Sequence, residues 1–222
     1  PANRQVLCKL RVAAYCRVSS NSADQKNSFA TQERVYRKRI TENPDWELVD
    51  IFADEGLSGM KGDTRLLLST ISDDYVFVET KKDYARDMVT GFIKLNGMTV
   101  GAVANCTEIY DGEGNKTEEF DAALTARGCN KAAEFVSFCD AFEIPVLTLT
   151  NAEGLAASKC SEKGLARAMA RLTQAFAGAT VPKVNILIGN AYGSAYVLMN
   201  SKALGADLVY AWDCAKVGMM DS

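Results

Sequence analysis

The chain has 222 residues, of which 48% are apolar and 24% charged, and its formal net charge is −3 at pH 7. This composition is typical of a globular protein with one large domain, or with a medium domain and a small appendage, and the charge indicates no nucleic-acid partner. The chain contains no histidine, which excludes Ser-His-Asp and Cys-His nucleophile chemistry and most catalytic zinc sites.

Membrane insertion and secretion are not expected. No run of about 18 or more apolar residues occurs, and the N-terminal stretch lacks the apolar core of a signal peptide. The seven cysteines are odd in number and are never spaced as Cys-x-x-Cys. We therefore expect reduced thiols, a cytoplasmic location and no metal site.

The first 60 residues predict a small β-α-β appendage. A strand-like run over residues 10–18 is followed by a Ser/Asn-rich turn, a helix over 28–40 and an alternating strand over 46–53. The glycine-rich stretch that comes next indicates a boundary. We therefore predict one segment over residues 1–60 and one domain over residues 61–222.

The following part of the chain predicts a helix, a hairpin and a longer helix. The predicted elements are a helix over 64–71, strands over 75–79, 90–95 and 99–105, an exposed polar loop over 110–119, and a helix that ends near Phe142. Asn96-Gly97, between the last two strands, is a strong hairpin signal. Either Asp121 or Thr125 caps the long helix.

Strands and helices alternate through the rest of the chain. The predicted elements are a strand over 145–150, a helix that opens at Ser161, a strand over 183–189, a small-residue turn over 190–195, a short helix to Asn200, and strands over 207–212 and 216–219. Such alternation predicts an α/β domain of layered sheet and helices.

One candidate anion site is Gly189–Tyr196, which contains a small-residue turn between a buried strand and a helix. Backbone N–H groups at the start of a helix have no partner within the helix, and with the helix dipole they favour negative charge. The turn predicts an oxyanion or phosphate site, unless its residues are small only because the backbone packs closely there.

A second candidate site is the segment Thr150–Ala157, which follows the other buried strand. Ligands of α/β sheets usually bind beyond the carboxyl ends of the strands. Gly154 could present a second backbone donor there. Glu153 is either a general base or a solvated loop acid.

Several long motifs from about Asp63 to Ser222 resemble the C-terminal domain of biotin-dependent acyl-CoA carboxyltransferases. In chain order, these motifs are Lys82–Arg86, Thr90–Asn105, Glu134–Thr150, Ala179–Lys183, Ala191–Tyr196 and Met199–Trp212. The resemblance implies a crotonase-like (ClpP/crotonase) α/β fold.

Proteins of this family move a carboxyl group between carboxybiotin and an acyl-CoA, and backbone oxyanion holes hold the negative oxygens. The resemblance implies this activity, in a carboxylase or decarboxylase, with biotin as cofactor and no metal. It also implies the site residues: backbone donors at Gly193, Ser194, Ala195 and Gly154, and substrate contacts at Tyr192 and Asn151.

Two departures from the family pattern concern the site itself: Ser194 replaces the commoner glycine, and the loop with Gly154 lacks the family's proline. We also expect the CoA-binding N-terminal domain and the last C-terminal helices of the family to be missing, so that the chain alone is incomplete. The expected partners are a biotin carboxyl carrier protein, an acyl-CoA, a carboxyltransferase N-terminal domain and further copies of the chain.

The N-terminal segment instead resembles the start of a serine recombinase (resolvase-like) catalytic domain, in the motifs Tyr15–Ser20, Ser28–Gln32 and Ile51–Gly59. The resemblance implies that Ser19 is a nucleophile towards DNA, that Arg17 binds the phosphate and that Gln32 supports them. The further arginines of that family and a DNA-binding region do not follow, so we expect an inactive fragment.

Three hypotheses therefore stand: a carboxyltransferase-like domain, a DNA-processing recombinase fragment, or an inactive fusion of the two. The extent of each resemblance favours the first, since the carboxyltransferase motifs span about 160 residues and the recombinase motifs fewer than 60.

Overall fold

The structure is a computed structural model that describes residues 10–18, 34–43, 46–55, 63–111, 115–156 and 159–220. The chain divides into two compact units, Pro1–Met60 and Lys61–Ser222.

The first unit contains two parallel strands and a helix. Strand β1 (Leu10–Val18) pairs with β2 (Trp46–Glu55), and helix α1 spans residues 34–41. The elements follow one another in the predicted order. Strand β2 runs past its predicted end because its last two residues continue the parallel ladder. The predicted start of the helix, residues 28–33, lies outside the described residues.

The second unit is built on a sheet of seven strands. The strands of this unit are β3 Phe77–Thr80, β4 Met88–Leu95, β5 Met98–Asn105, β6 Glu108–Tyr110, β7 Lys116–Glu119, β8 Ala123–Leu124, β9 Val146–Ala152, β10 Gly154–Leu155, β11 Lys183–Tyr192, β12 Leu208–Ala211 and β13 Lys216–Gly218. The large sheet has the order β12-β11-β9-β5-β4-β3, and β13 also pairs with β11. Pairing is antiparallel from β3 to β5 and parallel from β5 onwards.

Four α-helices lie in the described part of this unit: α2 Thr64–Ile71, α3 Ala126–Ala141, α4 Lys159–Gly178 and α5 Gly193–Leu198. Helix α3 packs against α4 and against β4 and β5. Ala132, Phe135, Val136 and Cys139 of α3 lie in the main hydrophobic core, whereas Phe142, at the helix end, is 64% exposed. Among the helices of the described ranges, none is both long and apolar enough to cross a membrane.

The predicted hairpin turn is confirmed. Asn96 and Gly97 join β4 to β5 with φ angles of 53° and 80°. A type I′ turn requires positive φ at both central positions, which is why the Asn-Gly pair predicts it so well.

The exposed loop predicted over residues 110–119 is wrong in part, since β6 and β7 form an antiparallel hairpin. The sequence did not predict this hairpin because its residues are mostly polar, whereas a half-buried strand normally alternates apolar and polar residues. Ile109 is the buried apolar residue of the hairpin. On its surface, Lys116 lies 2.7 Å from a carboxylate oxygen of Glu119.

Several element bounds differ from prediction by up to three residues, and two of these differences have a local cause. The strand predicted over 75–79 begins at Phe77, because a 3-10 turn occupies Asp73–Tyr75. The turn predicted over 190–195 begins three residues later, because Asn190–Tyr192 continue β11 and pair with β13.

Candidate active site

Two loops that the sequence singles out meet at one edge of the sheet. Strands β9 and β11 are parallel neighbours, so their carboxyl ends lie at the same edge. The first is followed by β10, which begins at Gly154, and the second by α5, which begins at Gly193. Helix α5 packs against β10 and β9, which brings the two candidate donor segments together.

Gly193 shapes the turn into α5. Its φ of 52° lies in the left-handed region, and a Cβ at this position would lie 3.0 Å from the carbonyl oxygen of Met219. Both features disfavour any other residue. Ala195 is fully buried, whereas Ser194 is exposed. Close packing therefore explains why residue 195 is small. The first N–H groups of α5 have no acceptor within the helix, because they precede its first full turn.

Gly154 lies in open space on the facing loop. Strand β10 pairs with β8, and the flanking N–H groups are used: Glu153 donates to the carbonyl of Ala122 (2.6 Å) and Ala156 to that of Leu124 (3.0 Å). Apart from Gly154 and its two chain neighbours, no described residue has a heavy atom within 4 Å of the position of a Cβ on Gly154. A ligand could therefore approach the backbone here.

The two side chains that the resemblance assigns to substrate contacts, Tyr192 and Asn151, make contacts within the protein. Tyr192 is 6% exposed, and its ring packs beside Gly218. Asn151 accepts a hydrogen bond from the backbone N–H of Asn190 through Oδ1, at 2.9 Å. The structure thus places both side chains where they support the two loops.

Glu153 lies at the rim between these loops. Its side chain is exposed, and Oε1 accepts a hydrogen bond from Nδ2 of Asn190 at 2.5 Å. Of the two interpretations, exposure and this hydrogen bond favour the solvated loop acid.

Sequence reasoning missed two residues at this edge, Asn105 and Asn190. The side chain of Asn105 donates from Nδ2 to the carbonyl of Asn151 and accepts from the N–H of Asn151 at 2.8 Å. A signal was present, because an asparagine stands at or near the carboxyl end of β5, β9 and β11 alike.

The described ranges contain no group of three or more His, Cys, Asp or Glu side chains that could hold a metal ion. Four cysteines whose side chains the structure describes form no disulfide bond: Cys106, Cys129, Cys139 and Cys214. Burial raises the pKa of Cys129 and of Cys139 to about 12. These two thiols therefore stay protonated at neutral pH and are poor nucleophiles.

The recombinase-like candidates fall in the first unit. Ser19 and Gln32 lie outside the described residues. Arg17 belongs to β1, where the structure describes the backbone. The geometry of the predicted phosphate site is thus not among the described features.

The carboxyl transferase domain family matches residues 15–222, and the chain therefore belongs to this family. The predicted carboxyltransferase resemblance is confirmed. The match begins inside the first unit, so it includes most of the segment that resembles a recombinase, and the recombinase resemblance stays a prediction.

Individual relatives are carboxylase and transcarboxylase subunits. The chain is 40% identical over 159 residues to the putative propionyl-CoA carboxylase beta chain of Bacillus subtilis, which covers 71% of this chain and 29% of that protein. It is 37% identical over 179 residues to the methylmalonyl-CoA carboxyltransferase 12S subunit of Propionibacterium freudenreichii, covering 80% and 32% of the two chains.

A solved structure agrees with these sequence relatives. The crystal structure of the transcarboxylase 12S hexamer matches with a TM-score of 0.64 and 38% identity, over 73% of this chain and 31% of that chain. The predicted crotonase-like α/β fold class is thereby confirmed. The chain spans about three tenths of the length of these relatives.

Proposed function

We propose that the chain supplies the carboxybiotin-facing part of a biotin-dependent acyl-CoA carboxyltransferase site. The observation that carries this proposal is the meeting of the Gly154 segment and the Gly193 turn at the carboxyl edge of the parallel strands. Two neighbouring sets of backbone donors suit a reaction in which negative charge develops on oxygen, and each such donor contributes roughly 3 kcal/mol in a water-excluded site.

The residues at this edge fit a bound biotin group in one testable respect. Biotin, when bound, carries the transferable carboxyl group. Open space in front of Gly154 and the small residues Gly193 and Ser194 leave the backbone accessible, so these three residues would donate N–H groups to a negative oxygen. The carboxylate of Glu153 would oppose negative charge nearby, and its hydrogen bond to Asn190 restrains it.

The remaining parts of the reaction require partners. In this proposal a biotin carboxyl carrier protein delivers the carboxyl group, a carboxyltransferase N-terminal domain binds the acyl-CoA, and copies of the chain associate. The names of the relatives suggest propionyl-CoA and methylmalonyl-CoA as first substrates to test. Mostly buried cysteines without disulfide bonds in the described part of the chain support a cytoplasmic location.

The test is reconstitution of carboxyl transfer. We expect that the full chain, mixed with a separately expressed N-terminal carboxyltransferase domain, transfers carboxyl from carboxybiotin to propionyl-CoA. Gly193→Val should lower the rate about 100-fold, because it displaces the backbone donors of the turn.

Gly97→Val is the matched control, since Gly97 also has a positive φ but lies in the distant β4–β5 hairpin. Circular dichroism would establish that both variants fold. Absence of transfer by the wild-type mixture at saturating substrate, or equal losses in the two variants, would contradict the proposal.

We propose the recombinase fragment as the alternative function of the first unit. It is supported by the parallel pairing of β1 with β2, with α1 between them in the chain, which is the β-α-β order that the sequence predicts for this segment. A covalent adduct between Ser19 and nicked DNA, absent in Ser19→Ala, would support it. No adduct under conditions where a known serine recombinase reacts would reject it.

A further inference from the structure

Close to the candidate site, the ladder between β5 and β9 ends and the ladder between β9 and β11 is interrupted. Pairing of β5 with β9 stops at Ala104 and Leu149. Pairing of β11 with β9 is regular as far as Leu187, opposite Thr150, and resumes only at Ala191. Close to the loops that carry Gly154 and Gly193, the backbone therefore pairs β9 with β11 only at Ala152 and Ala191, and it does not pair β5 with β9.

A side chain replaces the ladder between β5 and β9. The amide of Asn105 accepts from the N–H of Asn151 (2.8 Å) and donates to the carbonyl of the same residue. Asn105 is 5% exposed. A buried primary amide that bonds both backbone groups of one residue acts as an additional strand residue, because it offers the same donor and acceptor as a peptide group.

A second side chain replaces the ladder between β9 and β11. Oδ1 of Asn151 accepts from the N–H of Asn190 at 2.9 Å. The same oxygen occupies the space beside Gly189, where a Cβ would overlap it. Residues 188–190 of β11 all lie within the interruption of the ladder, and this hydrogen bond crosses it.

The two residues joined by this hydrogen bond, Asn151 and Asn190, each lie a few residues before a candidate donor in the chain. Gly154 comes three residues after Asn151, and Gly193 comes three residues after Asn190. Because the chain between them is short, the separation of Asn151 and Asn190 limits the separation of the two glycines. A shift of about 1 Å in such a constellation can lower a rate about 100-fold.

We propose that Asn105 and Asn151 are positioning residues that set the relative placement of the Gly154 and Gly193 backbone donors. This inference rests on the proposed function for its catalytic consequence. Neither side chain needs to contact a substrate: Asn105 holds Asn151, and Asn151 holds the end of β11. Gly189 belongs to the same device because it leaves room for the Asn151 amide.

The first experiment compares Asn151→Ala, Asn151→Asp and Ser72→Ala in the full chain. Asn151→Ala removes the acceptor of the Asn190 N–H, whereas Asn151→Asp keeps an oxygen there. Ser72→Ala is the matched control, because the buried Ser72 hydroxyl also accepts a backbone N–H, that of Lys94 at 2.9 Å, at the opposite part of the sheet.

The readouts are the amide N–H resonances of Gly154 and Gly193 and the kinetics of the reconstituted reaction. In Asn151→Ala we expect both resonances to shift and kcat to fall about 10- to 100-fold, with KM nearly unchanged. Asn151→Asp keeps the acceptor and should return both resonances close to their wild-type positions, while its negative charge keeps kcat below the wild-type value. Ser72→Ala should leave both resonances and kcat at the wild-type values even if it lowers the melting temperature.

A second experiment uses Gly189→Ala alone and combined with Asn151→Ala. In the wild-type background the new methyl group displaces the Asn151 amide, so kcat should fall as it does in Asn151→Ala. In the Asn151→Ala background only the Cβ of residue 151 stays near the new methyl group, at 3.3 Å, so a much smaller further loss is expected. Such non-additivity indicates that both changes act through one contact.

Asn151→Ala that leaves both glycine resonances in place would overturn the inference. So would a fall in kcat that is the same, for the same fall in melting temperature, in Asn151→Ala and Ser72→Ala. A wild-type mixture without transfer activity would reject the proposed function instead. In that case the resonances of Gly154 and Gly193 still decide whether the two asparagines position these loops.

Discussion

At the residue scale, one lysine lies among the small and apolar side chains on the buried face of helix α3. Lys131 lies on α3 and is 1% exposed. Its ammonium donates to the carbonyls of Tyr84 (2.8 Å) and Met88 (2.7 Å), in the connection between β3 and β4. Burial lowers the pKa of Lys131 to about 8, against the opposing effect of the Glu79 carboxylate. The lysine thus ties a connection to the helix at an electrostatic cost.

This cost predicts a pH dependence of stability. Between about pH 8 and pH 10.5 the unfolded chain keeps the Lys131 proton and the folded chain loses it, so the unfolded state binds more protons and the free energy of unfolding rises with pH. One pKa unit corresponds to about 1.4 kcal/mol, so the rise attributable to Lys131 is on the order of 3 kcal/mol. Lys131→Met should lack it.

Urea unfolding of the wild type and Lys131→Met at several pH values from 7 to 10.5 would measure the effect. The quantity to compare is the difference in unfolding free energy between the two proteins, because other titrating groups cancel in it. A difference that stays constant over this range would contradict the assigned pKa.

At the scale of single elements, the sequence offers two candidate N-cap residues for α3, Asp121 and Thr125. The structure selects Thr125: its Oγ1 accepts from the N–H of Gly128 at 2.9 Å and donates to Oδ2 of Asp87 at 2.7 Å. Asp121, the alternative, lies before the short strand β8 and is exposed. Both residue types cap helices well, so local preference does not choose between them.

Substitution of the cap gives a direct prediction. Thr125→Ala should lower the free energy of unfolding by about 1 kcal/mol, because the N–H of Gly128 loses its acceptor. Asp121→Ala is the matched control, and we expect a much smaller change. Chemical denaturation of the two variants measures both values, and equal effects would show that the hydrogen bond of Thr125 does not stabilise α3.

Elements built from polar residues were harder to foresee than apolar ones. The bounds of α2 match the prediction, and Asp63 caps this helix by accepting from the N–H groups of Arg65 and Leu66. The β6–β7 hairpin was missed, because its pairing rests on backbone bonds between polar residues rather than on an apolar face. Local patterns report burial, and this hairpin buries little.

At the scale of the whole molecule, the two compact units raise the question of whether the second folds by itself. Residues 61–222 contain the large sheet, the main hydrophobic core and the candidate active site. A domain with its own core is expected to fold alone. We therefore predict that a chain reduced to residues 61–222 keeps the far-UV circular dichroism of its sheet and helices and unfolds cooperatively.

The same shortened chain tests where the activity lies. If the carboxyltransferase proposal holds, residues 61–222 should support the reconstituted transfer as well as the full chain does. Loss of cooperative unfolding in thermal melts would show instead that residues 1–60 contribute to the stability of the second unit.

The sequence alone determined the α/β class, the family and the two loops that carry the candidate donors. These features depend on local signals: alternating strands and helices, the Asn-Gly hairpin turn, and small residues where a strand meets a helix. The φ of Gly193 and the exposed position of Ser194 agree with the turn that those signals predict.

Only the tertiary structure decided that the two loops meet and what holds them. Asn105 and Asn151 are 46 residues apart, and Asn151 and Asn190 are 39 apart, yet their amides join three strand ends. Such contacts depend on strand order and register, since a shift of one residue would turn each side chain to the other face of the sheet. No local pattern contains that register, because it arises from the packing of the whole sheet against its helices.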